Sequence, residues 1–515
     1  MSKYKREIYI VVGLFIITVL TRLPFTSKIL YHWDSINMAF GLEHFDVAAG
    51  QPQAPGYILF VFLGQAINLF IADAQITLVL ISVISSGLAV SFMYLLGKEM
   101  FNKKVGLASA LFLASSPLFW FYSEIALPHV FDTYIILVAV YLMYRLSGGD
   151  EKLLIPTAIW IALAGGFRPQ TEVFLSLLVL YVAWYLTWRQ RFIALGVLFV
   201  VNLFWFVPLL WLHGGPEQYF LILEKYSEAF TNTTSVFAEG GMVGFIRNMR
   251  KLTMYTMYGW ALALIPFLIW GVILIKKAQL LNKIELLNFM KDHRLWFILC
   301  WILPSIAYYA FIHMGQQGLV FVFLPALLIV SALVIYSSNW LKPAYQTYFI
   351  AGIIILNSII FIFAPTYPLG GESPKLLSDA TINQRDSHYQ ASIALVTQNF
   401  PPKQTLILSD GWRFPQYYLH DYIFYPYVIG GRWEVVEGQA IVKQEVLDMA
   451  TFGLTPDDEN HFYVVIFDKT MHDFNRSPDR TKFVSLPTGE QISYLELTEQ
   501  EELALSSAGF QIVQK

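Results

Sequence analysis

The stretch RLPFTSKILYHWDSINMAFGLEHFDVAAGQPQAPGY, residues 22–57, decides how this chain is threaded. It follows a first apolar run at 8–25 and places an acid, Asp34, between Trp33 and Ser35 shortly past that run. It closes on Pro52, Pro55, Gly56 and Tyr57, a rigid turn that opens a second apolar run at 56–71. The second run spans about 15 residues and is interrupted by Gly64, Gln65 and Asn68, short of the roughly 20 that cross a bilayer comfortably.

Charge settles whether 56–71 crosses. Longer apolar runs fall near 8–25, 76–97, 105–122, 130–146, 153–167, 171–187, 192–212, 255–275, 295–313, 318–337 and 346–364. The connections rich in Lys and Arg are 98–104, 145–152, 188–191 and 276–294, and such short basic connections stay on the cytoplasmic side. With the N-terminus inside, as Lys3, Lys5 and Arg6 favour, these four share one side only if 56–71 does not cross. The expectation is a re-entrant or interfacial helix beneath the first outer loop. The outer face then carries 26–75, 123–129, the turn at Arg168, the large loop 213–254, the turn 313–318 and everything after 364.

Composition agrees. Of 515 residues 56% are hydrophobic and only 14% charged, and mean hydropathy is +0.53. A soluble chain carries about 25% charged residues, so this is an integral membrane protein, mostly α, with about eleven transmembrane helices. A net charge of −3 gives no case for nucleic acid. The lone Cys300 precludes an intrachain disulfide. After residue 364 the character changes: Pro365, Pro368, Gly370, Gly371 and Pro374 form a linker, and charges become frequent. An amphipathic helix is expected over 386–400 and strands at 405–408, 462–467 and 491–495. A last helix is expected to about residue 507, with Thr498 as N-cap and Glu501 completing a capping box. The reading is a transmembrane catalytic domain at 1–364 and a soluble extracytoplasmic α/β domain at 365–515.

The candidate chemistry gathers on the outer face. Asp34 is a carboxylate at a membrane surface, where desolvation is costly and function is the default reading, although it could also open a surface helix. Trp33 beside it offers a flat face on which a sugar can stack. His44 and Asp46 add polar groups, as a solvated loop or as part of a metal site with Asp34. Tyr57 closes the Pro-Gly turn. Glu124, His129 and Asp132 stand where two apolar runs meet, either as functional groups or within an interfacial aromatic belt. Arg168 lies in Gly165-Gly166-Phe167-Arg168-Pro169, a turn that presents a fixed fork to a phosphate unless the side chain merely reaches for the interface. His313, Gln316 and Gln317 occupy a Gly-bounded polar turn. No HExxH, GxSxG, Walker A or paired CxxC motif is present.

These residues together resemble the GT-C superfamily of membrane glycosyltransferases, in particular its protein O-mannosyltransferase-like and aminoarabinose-transferase-like branch. The resemblance covers most of 8–364. It is carried by Asp34 in the first outer loop, the turn Gln53-Ala54-Pro55-Gly56-Tyr57, Phe119-Trp120 with Glu124, the Gly-Phe-Arg-Pro turn at Arg168 and the His-x-Gly-Gln-x-Gly turn at His313. It implies a sugar transferred from a polyprenyl-phosphate donor, with inversion, to an acceptor hydroxyl on a glycan, a lipid or a protein. Asp34 would be the base, Glu124 a second catalytic acid, and Arg168 with His313 or Gln317 the phosphate ligands. A divalent cation is possible and its ligands are unknown. Many relatives carry adjacent acids where this chain has Asp34-Ser35, which leaves the second acid to Glu43, Asp46 or Glu124. A bacterial or archaeal cell membrane is the expected location. A transporter or flippase of a lipid-linked precursor, or a non-catalytic assembly scaffold, remains an alternative from the residues alone.

Overall fold

A computed structural model describes residues 3–278, 291–337, 340–366, 376–427, 433–436, 439–442, 445–487, 489–506 and 508–515. The linker residues Pro368, Gly370, Gly371 and Pro374, and most of the basic connection 276–294, lie outside the described residues. The chain divides into two compact units, Met1–Ile382 and Asn383–Lys515.

The first unit is helical. Its helices are α1 Lys3–Arg22, α2 Trp33–Glu43, α3 Ile58–Ile71, α4 Ala74–Met100, α5 Lys103–Ser115, α6 Pro117–Ser123, α7 His129–Ser147, α8 Leu154–Phe167, α9 Pro169–Ala183 and α10 Trp188–Leu212. They continue as α11 Pro216–Thr231, α12 Gly241–Trp260, α13 Leu264–Ala278, α14 His293–Phe311, α15 Leu324–Ser337 and α16 Pro343–Phe363. Every apolar run named above is largely helical. Among the described residues seven helices are long and apolar enough to cross a membrane, or eight if the pair α5 and α6 counts as one span. The runs near 153–167, 171–187 and 318–337 form helices of 14, 15 and 14 residues (α8, α9 and α15). The break between α5 and α6 bends by 63° at Ser116-Pro117, where Ser116 caps α6 and proline cannot continue the ladder. The run 56–71 forms the 14-residue α3, bounded at both ends by left-handed residues, Tyr57 (φ 47) and Ala72 (φ 56).

Packing follows burial. Helix α4 is mostly buried and packs on α1, α5 and α7. Helix α10 is the opposite: Phe199, Val200, Phe204, Val207 and Trp211 point outward, the apolar exterior expected of a helix facing lipid. The chain is an integral membrane protein, mostly α, with a C-terminal sheet region.

In the second unit, α17 (Asp379–Asn399) leads into β1 (Thr405–Ser409), followed by α18 (Arg413–Tyr418), β2 (Ile423–Pro426), β3 (Trp433–Val436), β4 (Gln439–Val442) and β5 (Glu445–Leu447). Next come β6 (His461–Ile466), β7 (Lys482–Ser485), β8 (Gln491–Thr498), β9 (Glu501–Ser506) and β10 (Gly509–Gln514). A five-stranded sheet runs β2-β1-β6-β8-β7, parallel over β2, β1 and β6 and antiparallel beyond. Leu406, Leu408, Val464, Ile466, Leu495 and Leu497 fill its core.

One expectation is corrected here. Residues 501–506 form strand β9, antiparallel to β10, and not a helix. The period-two burial of Leu503 and Leu505 decides it, because an alternating apolar pattern seats on a sheet and leaves a helix no single apolar face. The contact taken for a capping box is real without a helix: Glu501 Oε2 accepts from the Thr498 N–H at 3.0 Å. Glu501 is buried and also takes the Arg480 guanidinium, Nη1 to Oε1 at 2.9 Å. Arg480 holds its carboxyl below the usual carboxylate range. A depressed acid contributes stability above its unfolded pKa and loses it as pH falls through the folded value. Glu501→Gln is therefore expected to lower hydrogen-exchange protection of the β9 and β10 amides by about 1–3 kcal/mol at pH 7. The gap to wild type should close below about pH 4.

Candidate active site

The first turn of α2 is built by its own sequence. His32 is the N-cap, its ring Nδ1 accepting from the Asp34 N–H at 3.1 Å, while Ser35 Oγ accepts from the His32 N–H at 3.3 Å. Asp34 thus stands in the positive first turn of a helix, where a carboxylate is favoured. Its side chain is about a quarter exposed (23%) and lines a cavity of about 770 Å³. Helix formation and a place in the cavity, weighed as rivals from the sequence, hold together.

The same cavity is lined by Trp33, Tyr57, His129, Arg168, His313 and Gln316. With Asp34, seven of the residues singled out from the sequence therefore meet in one place. Gln316 donates through Nε2 to Asp34 Oδ2 and faces His129 Nε2 with Oε1 at 2.8 Å. Arg168 is buried, and its Nη1 donates to Asp132 Oδ2 at 2.8 Å; Thr171 Oγ1 donates to the other oxygen of Asp132. Tyr57, held left-handed at the mouth of α3, lies within electrostatic reach of Arg168. Asp132 is used within the protein as the partner that lets an arginine sit in an apolar bundle.

The turn 313–318 is fixed from two sides. The Met314 N–H donates to Asn248 Oδ1 at 3.2 Å, and His313 Nδ1 lies 3.1 Å from Thr234 Oγ1. Burial, with Lys251 and Arg247 near, pushes the His313 imidazole down to about 4, so it is neutral at physiological pH. At Gly318 a Cβ would lie 2.7 Å from Tyr122 Cε1 and 2.8 Å from His129 Cδ2, so only glycine lets this turn lie against both rings.

Four of the sequence candidates lie elsewhere. Glu124 is wholly buried at the C-terminal end of α6, where its carboxyl is pushed up by burial and drawn down by Arg22. The Arg22 guanidinium lies 4.1 Å over the Trp120 ring, which stacks on Phe361. Glu124 is absent from the cavity lining. His44 and Asp46 line a separate cavity of about 490 Å³ with His213 and Lys225, and Asp46 accepts from the Ala48 N–H at 2.9 Å. Gln317 begins the 3-10 turn Gln317–Val322 and is absent from the cavity lining.

Sequence reading passed over Gln53, Gln170, Tyr226, Arg247, Tyr308 and Tyr309, which all line the cavity. Gln53 Oε1, Gln170 Oε1, Tyr309 OH and Arg168 Nε are buried without a hydrogen-bond partner among the described residues. Buried polar atoms are normally satisfied, so several unsatisfied ones on a single cavity mark a place where a polar ligand supplies the partners. The signal was present for Gln170, two residues beyond Arg168 in the same turn. Among the described residues no three His, Cys, Asp or Glu converge. Among the described residues Asp34 is the one carboxylate on the cavity lining, a donor set that does not fit a preformed divalent-cation site.

Comparison with known proteins gives two positive findings. Residues 54–211 match the dolichyl-phosphate-mannose-protein mannosyltransferase family. The fold is similar to that of ArnT from Cupriavidus metallidurans, solved bound to undecaprenyl phosphate, with a TM-score of 0.55 and 12% identity over 95% of this chain and 97% of that one. The apo form of that protein matches equally, over 97% of this chain and 99% of its own. The oligosaccharyltransferase from Archaeoglobus fulgidus, tethered to an acceptor peptide, aligns at a TM-score of 0.44 and 13% identity over 81% of this chain and 64% of its own. No curated protein matches the chain. The expected resemblance therefore has two supports, a mannosyltransferase-family match confined to residues 54–211 and a fold similar to that of ArnT.

Two substitutions test the architecture of the cavity. Asp132→Ala leaves a buried guanidinium unpaired and should cost about 3–5 kcal/mol in detergent-denaturation titrations. Gly318→Ala should cost about 1–3 kcal/mol, because the Tyr122 and His129 rings must give way.

Proposed function

We propose that the chain transfers a sugar from a polyprenyl-phosphate donor to an acceptor hydroxyl on the extracytoplasmic face of a bacterial or archaeal cell membrane. The observation that carries this reading is a single cavity that brings the Asp34 carboxylate together with the Arg168 and Arg247 guanidiniums, between orphaned amide and hydroxyl groups. Base, phosphate ligands and hydroxyl-binding groups are what such a transfer needs in one place.

The mechanism follows from those groups. The acceptor oxygen attacks the anomeric carbon from the face opposite the phosphate, and its proton passes to Asp34. A new carbon–oxygen bond forms, the anomeric carbon–phosphate oxygen bond breaks, and the electron pair leaves on the polyprenyl phosphate. Inversion at the anomeric carbon follows from the single displacement. Arg168 and Arg247 neutralise the charge gathering on the leaving phosphate. Arg168 can do so without moving, because Asp132 holds one of its nitrogens and its Nε remains without a protein partner. Trp33 supplies a flat face for the sugar, and Gln53, Gln170 and Tyr309 supply partners for its hydroxyls. His313, neutral, can accept or donate a hydrogen bond without adding charge. Reaction at the outer surface is consistent with the position of the basic connections on the other side of the membrane.

The test is transfer of radiolabelled sugar from polyprenyl-phosphate donors by purified protein to lipid, glycan and protein acceptors. Wild type should transfer label, and Asp34→Asn should lose about 10²–10⁴-fold in rate with donor binding retained. Arg247→Ala should raise the donor KM more than it lowers kcat if the guanidinium holds the phosphate in the ground state as well. Equal transfer by wild type and Asp34→Asn would remove the base from the mechanism.

A further inference from the structure

We propose that Gln316, itself oriented by His129, is the positioning residue that turns and holds Asp34 so that one chosen carboxylate oxygen takes the acceptor's proton. The inference rests on reading Asp34 as the base and goes beyond it to say what sets the base's direction.

The hydrogen-bond polarity leaves one arrangement. An ionised carboxylate only accepts, so the Gln316 group that meets Asp34 Oδ2 is its NH₂, as found. The amide oxygen then faces His129 Nε2 at 2.8 Å and needs a donor, which fixes the neutral ring with its proton on Nε2. The His129 ring is closely packed: it meets Tyr122 edge-on with centroids 5.2 Å apart, and a Cβ on Gly318 would lie 2.8 Å from its Cδ2. Its Nδ1 is buried with no partner among the described residues, so no second proton is drawn to the ring. The three groups come from three elements: Asp34 from α2, Gln316 from the turn after α14 and His129 from the first residue of α7.

A carboxamide transmits orientation and not protons. A proton taken by Asp34 cannot pass through Gln316 to His129 without an imidate, so it enters and leaves on the cavity side through Oδ1. Oδ2 serves as the hinge. Other titratable groups face this acid: His32 with Nδ1 at 3.7 Å, and the phenols Tyr57, Tyr122 and Tyr226 from α3, α6 and α11. Arg168, Arg247 and His313 share the cavity. Each of these is retained when Gln316 is changed, so a change confined to Gln316 isolates its effect.

Two measurements on the full-length protein separate this inference from the functional reading. The first is infrared difference titration of the Asp34 carboxyl, identified as the band absent in Asp34→Asn. Gln316→Leu removes a donor to the anion, so the midpoint should rise by about one pH unit. Gln316→Glu should raise it further, since two adjacent carboxyls share one proton. Gln316→Met, closer in shape, replaces the leucine variant if that one does not fold. An unmoved midpoint in the folded variants overturns the inference whatever the enzyme does. The second is the pH profile of kcat/KM. Its acid limb should move up with the infrared midpoint, lowering transfer by about tenfold at a pH near the limb and recovering it at higher pH. A uniform, pH-independent loss would make Gln316 a merely structural contact and also overturns the inference. A moved infrared midpoint with undiminished transfer by Asp34→Asn would overturn the base reading alone.

Discussion

The buried pair Asp132–Arg168 is the constraint on which the rest of the cavity depends. A guanidinium inside an apolar helix bundle is tolerated only when paired, and the pairing acid sits one turn into α7. That turn has a second task. His129 and Asp132 are three residues apart on the same helix and so lie on one face. One side chain anchors Arg168, the proposed phosphate ligand, and the other faces Gln316, which holds Asp34, the proposed base. The cost of burying one charge thereby fixes the relative placement of the two charged groups that the chemistry needs.

Sequence and structure agree unevenly, for physical reasons. The helical membrane body was legible because apolar runs are long and their signal is cumulative. Span length was less so: α8, α9 and α15 are helices of about four turns whose ends are set by Arg168-Pro169 and by packing, which hydropathy does not see. Asp34, Arg168, His129 and Gln316 could be picked out because polar groups in short turns between apolar runs are few. Glu124 met the same criterion and is absent from the cavity lining, since a polar residue at a helix end can equally be buried beside a charge such as Arg22. Gln53 and Gln170 were passed over because a glutamine in a turn is ordinary until its neighbours fail to satisfy it. In the C-terminal unit, Thr498 and Glu501 matched a helix-start pattern, and the stronger alternation of Leu503 and Leu505 overrode it.

The glycines and prolines around the cavity serve close approach more than flexibility. Gly318 admits two aromatic rings, and Gly166 leaves room for Leu59 and for Trp205, whose indole N–H reaches Ala162 O at 3.0 Å. At Gly165 a Cβ would meet the Glu172 carboxylate, which accepts from Asn202 Nδ2 at 2.9 Å and ties α9 to α10. At these three glycines backbone lies directly against side chains, so the frame around the polar groups has little room to yield. Preorganisation of that kind lowers the cost of orienting a donor and an acceptor together.

The orphaned polar atoms of the cavity have a thermodynamic corollary. Gln53, Gln170, Tyr309 and Arg168 each carry a buried group without a partner among the described residues, a cost that a polar guest in the cavity would relieve. Occupancy and folding are then linked by mass action. The melting temperature of the protein then becomes a reporter of which guests fill the cavity, and its persistence in the membrane becomes tied to their supply.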